Sequence, residues 1–129
     1  QAESAYKKAL SLDPTLSNAM TNLGNLAYRR GNPDEAEHYY RRALQSDPEQ
    51  PEALYNLGFL CFERDEVDDA VRLFRDALQS DPSFADAHFN LAMALEERGE
   101  PSDARPHWQR YLDLEPEGAW SDIARKHLE

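Results

Sequence analysis

Four prolines at one interval constrain this chain more than any other feature of it. Pro14, Pro48, Pro82 and Pro116 stand 34 residues apart. Three of them close related phrases, Leu44-Gln45-Ser46-Asp47-Pro48, Leu78-Gln79-Ser80-Asp81-Pro82 and Leu112-Asp113-Leu114-Glu115-Pro116, and Leu10-Ser11-Leu12-Asp13-Pro14 supplies a fourth. Other positions keep the same register: Leu23-Gly24, Leu57-Gly58 and Leu91-Ala92; Ala19, Ala53 and Ala87; Ala36, Ala70 and Ala104. Tyr40, Phe74 and Trp108 follow, then Ala43, Ala77 and Tyr111. A fixed period of this length belongs to chains built from stacked supersecondary units, each covering its neighbour.

Within a unit the apolar residues fall on two helical stripes. Leu54, Leu57, Gly58 and Cys61 lie at i, i+3, i+4 and i+7, and Ala70, Phe74, Ala77 and Leu78 at i, i+4, i+7 and i+8. A stop-and-start signal separates the stripes. Gly31 supplies a left-handed cap, and Asn32, Pro33 and Glu35 predict an N-cap, a first helical residue and a capping-box partner. Gly99 and Pro101 repeat the signal. Asp65 replaces the glycine in the middle unit, a position aspartate tolerates better than most residues. Gly24, Gly58 and Ala92 are expected to face Ala36, Ala70 and Ala104, letting paired helices approach closely.

The period, the early Leu-Gly, the later series of Ala, aromatic and Ala, and the closing Pro resemble the tetratricopeptide repeat family. The resemblance implies an all-α fold, a right-handed superhelical α-solenoid of antiparallel helix hairpins, and a role in binding other proteins. It divides a single domain, 1–129, into the second helix of a truncated repeat (1–16), full repeats at 17–50, 51–84 and 85–118, and a capping helix (119–129). Ala2, Tyr6, Ala9 and Leu10 match a second helix whose first helix is absent, which implies a larger parent protein. Trp120, Ile123, Ala124, His127 and Leu128 form one apolar face that closes the other end. The run from Trp108 through Tyr111-Leu112 to Trp120 and His127-Leu128 looks like the ends of some bacterial repeat proteins.

Charge narrows the partners. The formal net charge is −11, and residues 51–100 hold 12 acidic and 4 basic side chains. Displacing counterions from phosphates needs the opposite surplus, so nucleic acid is not expected. No apolar run approaches the roughly 20 residues of a membrane-spanning helix, and no membrane association is expected. The single Cys61 sits on an apolar stripe as a buried, inert thiol, and a lone cysteine suits a reducing, cytoplasmic setting. No enzyme, metal or cofactor is expected, since the chain has no Gly-rich phosphate loop, no paired cysteines and no histidine pair at metal spacing on one helix. His88 takes the core-stripe position of Met20 and Leu54, where a packed side chain is expected. His38 and His107 fall on second helices and His127 on the cap.

The resemblance also implies a concave groove along the first helices of successive repeats. The helix sides left over by the core stripes carry Asn18, Thr21, Asn22, Asn25, Tyr28 and Arg29, then Glu52, Tyr55, Asn56, Phe59, Phe62 and Glu63. The third repeat contributes Asp86, Phe89, Asn90, Met93, Glu96 and Glu97. Asn22, Asn56 and Asn90 recur at the period, and an amide offers both donors and an acceptor to an extended peptide. This resembles the asparagine ladder in the repeat arm of O-GlcNAc transferases; bonding between neighbouring helices is the other use such residues have. Tyr28, Tyr55, Phe59, Phe62, Phe89 and Met93 form an apolar strip, with Phe59 and Phe62 the leading candidates for contact. Because Glu52, Glu63, Asp86, Glu96 and Glu97 surround the strip, the expected occupant is a basic or amphipathic segment of another protein. Co-chaperones that clamp the C-terminal carboxylate of heat-shock chaperones use two asparagines and three basic residues. Asn25 and Asn56 match, but Thr21, Asp86 and Asn90 hold the basic positions, which excludes that use. The rival to a peptide-binding groove is a structural module that self-associates, as a homodimer through the open end beside residues 1–16.

One residue conflicts with its surroundings. Pro106 lies inside the second helix of the third repeat, where it removes a backbone bond to Ser102 and its ring crowds that carbonyl, favouring a kink. Pro106→Ala is expected to stabilise the domain by up to about 3 kcal/mol. The check is a thermal melt, and a lower midpoint in the variant contradicts the reading.

Overall fold

The computed structural model describes residues 16–129; the helix expected within 1–16 and the open end beside it fall outside the described residues. Seven helices occupy that span: α1 (Ser17–Arg29), α2 (Pro33–Ser46), α3 (Pro51–Glu63), α4 (Val67–Ser80), α5 (Ala85–Glu97), α6 (Pro101–Leu114) and α7 (Ala119–Leu128). They pair as hairpins, α1 with α2, α3 with α4 and α5 with α6. Each second helix also packs on the first helix of the next hairpin, and α7 lies against α6.

The turn inside each hairpin is the same backbone motif, used three times. The N–H groups of Gly31 and Asn32 return to the carbonyls of Tyr28 and Ala27 at 3.0 and 2.9 Å. Asp65 and Glu66 bond Phe62 and Cys61 in the same way, as do Gly99 and Glu100 with Glu96 and Leu95. These crossed bonds satisfy carbonyls that a helix end leaves orphaned, and they require one left-handed residue. Gly31, Asp65 and Gly99 supply it, with φ of 80°, 63° and 79°. The expected capping box at Asn32 is not formed: Asn32 makes no side-chain capping bond, and neither do Glu66 and Glu100 in the equivalent slots. The backbone of Asn32 is already committed to the turn, Pro33 has no N–H to satisfy, and Asp34 and Glu35 favour the helix start through their charge.

The connections between hairpins explain the prolines. Asp47 accepts the N–H of Gln50 on its carbonyl and that of Glu49 on its side chain, at 3.2 and 3.1 Å. Asp81 repeats both bonds with Phe84 and Ser83. Aspartate first and proline second is the arrangement a tight turn favours, because the carboxylate mimics a backbone acceptor and the ring fixes φ. At the third connection Glu115 stands in for aspartate, Gly118 adopts φ 130°, and α7 begins.

Inside the first two hairpins an aromatic ring of the second helix fills the space left by a glycine of the first. A Cβ added to Gly24 would lie 2.5 Å from Tyr40, and one added to Gly58 would lie 2.9 Å from Phe74. The space beside these glycines is thus occupied by the rings of Tyr40 and Phe74. Ala36 and Ala70 are fully buried, with Ala104, Phe74 and Trp108. The larger cluster of the core runs through all three hairpins, includes Leu57, Leu91 and Leu95 and reaches Ala124 of α7, while Met20, Ala43 and Ala53 form a smaller one. Helix α6 continues through Pro106 at the 14-residue length of α2 and α4.

Along the turn edge, arginines tie each hairpin to the one before. Arg64 pairs with Asp34 at 2.7 Å and Glu37 at 2.5 Å, and Arg98 pairs with Asp68 at 3.1 Å. The arginine–aspartate tie recurs at the repeat period, whereas Val71 stands in the slot of Glu37. Each pair is solvent-exposed in part, where water and salt screen the attraction.

The ring-over-glycine contact can be tested by Gly24→Ala. Alanine gains about 1 kcal/mol of helix propensity, but forcing Tyr40 aside costs about 1–3 kcal/mol. The net expectation is a destabilisation of about 1 kcal/mol in urea unfolding, where propensity alone would give a gain.

Candidate functional site

The first helices α1, α3 and α5 line one face, where three adjoining hollows share Tyr55. The first, of about 220 Å³, lies between α1 and α3 and is bordered by Asn25, Tyr28, Arg29, Tyr55 and Phe59. Another, of about 450 Å³, is polar on the α1 side, with Asn18, Asn22 and Gln50. Across from these stand Glu52, Phe84 and Asp86. The third, of about 320 Å³, runs from Tyr55 and Phe59 to Phe89, Tyr111 and Trp120, with Asp86 and Asn90 on its border.

The polar residues of this face are tied to one another. Asn25 accepts the Tyr40 hydroxyl at 2.6 Å and the Asn56 amide at 3.0 Å. Asn90 donates to the Tyr55 hydroxyl at 2.8 Å and to the Asp86 carbonyl at 3.0 Å. Asn56 and Asn90 thus bridge successive first helices, the structural one of the two uses open to them, while Asn22 borders the second hollow. Tyr28 donates to both oxygens of Glu63 at 2.9 Å and meets Phe59 edge to face at 6.2 Å. Burial pushes Tyr40 up to about 12 and also raises Tyr55, where the Asp86 charge adds to the effect. Both hydroxyls stay protonated, Tyr40 donating to Asn25 and Tyr55 accepting from Asn90.

Several expected groove residues lie elsewhere. Phe62 and Met93 pack half-buried against the core and border none of these hollows. Phe89 borders the third but is only 9% exposed, wedged edge-on against Trp108, Tyr111 and Trp120. Thr21 is buried and bonds Gln50, which in turn donates to Asn18. Glu96 faces the cap, where its carboxylate accepts the Trp108 indole and meets His127, each at 2.7 Å.

Other residues join the face without having been expected there. Gln50, Phe84 and Gly118 occupy one repeat slot, just ahead of a helix, and Thr21, Tyr55 and Phe89 another; Gln50 meets Thr21 and Phe84 meets Tyr55 across the slots. Phe84 lies 4.9 Å from Tyr55, ring to ring. Trp120, expected on the apolar face of the cap, is 62% exposed and reaches Phe89 at 5.5 Å. The 34-residue register could have exposed the paired slots, since Gln50 and Phe84 are in phase.

A second cluster lies on the core side. His88, 8% exposed as a core-stripe residue should be, meets Pro82 and His107. The Pro82 carbonyl can only accept, so His88 Nε2 carries the proton at 2.9 Å, and His88 Nδ1 accepts from His107 Nδ1 at 3.0 Å. Both rings are neutral in this arrangement. Among the described residues no group of three or more His, Cys, Asp or Glu side chains is placed to hold a metal ion. Cys61 is buried, and burial followed by Glu66 and Asp69 raises its thiol. No helix among the described residues is long and apolar enough to cross a membrane.

Repeated hairpins of matched length, sharing one core and presenting one lined face, define a helical repeat protein with the architecture of an interaction scaffold. The tetratricopeptide repeat model matches residues 21–71 and 62–119, and the chain belongs to that family, an α-solenoid of antiparallel hairpins. Among solved structures it is similar to MamA, at 27% identity and TM-score 0.77, over 88% of this chain and 67% of that one. It is also similar to YrrB, described as a TPR protein with an unusual peptide-binding site, at 24% identity and TM-score 0.88 over 95% of this chain and 62% of that one. The first TPR of Spaghetti (RPAP3), solved with an HSP90 peptide, matches at 22% identity and TM-score 0.79 over 87% and 92%. The last two likenesses are of fold. Among curated proteins none matches the chain.

The histidine pair predicts an acid-sensitive stack. Burial, then His88 and Arg75, hold His107 down at about 4, and burial lowers His88 as well. The unfolded chain therefore takes up protons first as pH falls below the ordinary imidazole value, and stability declines from there toward about 4. In His88→Leu/His107→Leu the thermal midpoint should fall less between pH 7 and pH 5 than in the parent chain. Equal falls would show that other groups govern the acid response.

Proposed function

We propose that this chain captures a segment of another protein along the face formed by α1, α3 and α5, and that the segment is basic or amphipathic. One observation carries the reading: three adjoining hollows share Tyr55 and together make a trough along successive first helices. Its chemistry suits a peptide. Amides at the α1 end can meet a backbone, while Tyr55, Phe59 and Phe84 offer apolar surface for side chains. The carboxylates Glu52 and Asp86 border the trough, and neither makes an ion pair among the described residues. Unneutralised carboxylates beside aromatic rings attract cations and repel acidic segments, which supplies selectivity and encounter rate as well as contact.

The carboxylate clamp remains an unsuitable model. Asn25 and Asn56 are bonded to each other, and Asp86 would repel a terminal carboxylate.

A peptide library displayed on phage and selected on the whole chain tests the proposal. Selected sequences should be rich in Lys or Arg with interspersed apolar residues. Phe59→Ala and Glu52→Lys should each weaken them about tenfold, or about 1.4 kcal/mol, with the Glu52→Lys variant melting only slightly lower because Glu52 stands in the first turn of α3. Acidic winners, or winners indifferent to both substitutions, would rule the trough out.

A further inference from the structure

We propose that the hollow between α3, α5 and α7 is a subsite for an arginine side chain of the captured segment. The inference rests on the trough reading above and assigns the chemistry of one position within it.

The subsite exists because a repeat slot is empty. At the first step of the stack Gln50 fills the slot beside Thr21, and at the second Phe84 fills it beside Tyr55. At the third step the slot holds Gly118, and a Cβ added there would meet nothing within 4 Å. Phe89 is left without the neighbour that Tyr55 has, and the cap helix supplies Trp120 in its place, with the rings 5.5 Å apart and nearly perpendicular. The result is a hollow of about 320 Å³ bounded by Tyr55, Phe59, Phe89, Tyr111 and Trp120. A tryptophan serving only to close the stack would be covered; this one is 62% exposed.

The charge at the hollow selects the ligand. Asp86 stands on its border and is exposed. Among the described residues no cation pairs with it. Its charge also raises the hydroxyls of Tyr55 and Tyr111, placing it near both rings. Aromatic faces attract cations through their quadrupole, and a carboxylate beside them adds direct attraction. Between the two common cations, the planar guanidinium is more weakly hydrated, stacks on rings and can present two N–H groups to one carboxylate. An ammonium would keep more of its water in a hollow this open. A neutral apolar side chain would use the rings and leave Asp86 unmatched.

The test titrates the isotopically labelled chain with N-acetyl-arginine amide, N-acetyl-lysine amide and N-acetyl-leucine amide. The Trp120 indole N–H is followed by NMR and assigned from its loss in Trp120→Phe. Arginine amide should move this signal saturably, with a dissociation constant on the order of a millimolar or weaker. Lysine amide should bind several-fold more weakly, and leucine amide more weakly again. Asp86→Asn should weaken the arginine response at least fivefold, while the buried Trp108 indole stays in place. Leucine amide matching arginine amide, or Asp86→Asn leaving the response unchanged, overturns the assignment. The two proposals fail separately: selected peptides that need Phe59 but show no arginine preference and do not move Trp120 overturn this subsite alone.

Discussion

In the first two hairpins of this protein a ring lies against a glycine too small to resist it. Tyr40 over Gly24 and Phe74 over Gly58 set how closely the two helices of a pair approach, and that separation fixes where the outer sides of the first helices point. The third hairpin enlarges both partners, with Ala92 and the fully buried Trp108 in the same slots. The larger ring brings a polar handle. Its indole N–H binds Glu96, and its face stacks on His127 at 4.3 Å. The element that fills the last hairpin therefore also fastens the helix that covers it. Burying a side chain of this size is worth several kcal/mol more than the exposed ion pairs at the turn edge.

The face that results is graded along the stack. Paired slots change from Thr21 with Gln50, to Tyr55 with Phe84, to Phe89 with Gly118 and Trp120. Asn25, Phe59 and Met93 make a parallel change in a neighbouring slot. A polar, amide-lined end thus passes into an aromatic end within three hairpins, although the backbone repeats almost unchanged. Repetition of the scaffold leaves the inward side chains free to vary step by step, which is how one architecture serves unlike partners.

Much of the fold was legible in the sequence because it is local. The turn at Gly31, Asp65 and Gly99 depends on one backbone conformation, and the helix stripes on spacing within about a dozen residues. Gln50, Phe84 and Trp120 were harder to read, since each acts on a residue some 30 positions away in another hairpin. Helical periodicity carries no information at that distance. It also assigns a whole side of a helix to solvent, which is why Phe62, Met93 and Glu96 fell on the same side as Tyr55. Neighbouring hairpins and the cap divide that side further. Trp120 shows the reverse error: its spacing matches an apolar face, but the space left by Gly118 draws it toward Phe89. His88 and His107 were each placed correctly on their helices, and their meeting depends on how α5 and α6 pack.

The turn arginines have a mechanical consequence. Arg64 and Arg98 hold successive hairpins together on one edge through exposed, salt-screened pairs, while the column of apolar contacts that does most of the holding has little directional preference. The joint between hairpins also carries polar bonds, Asn56 to Asn25 and Asn90 to Tyr55, whereas inside the first two hairpins ring and glycine interlock. Salt therefore weakens the joints of this stack more than its hairpins.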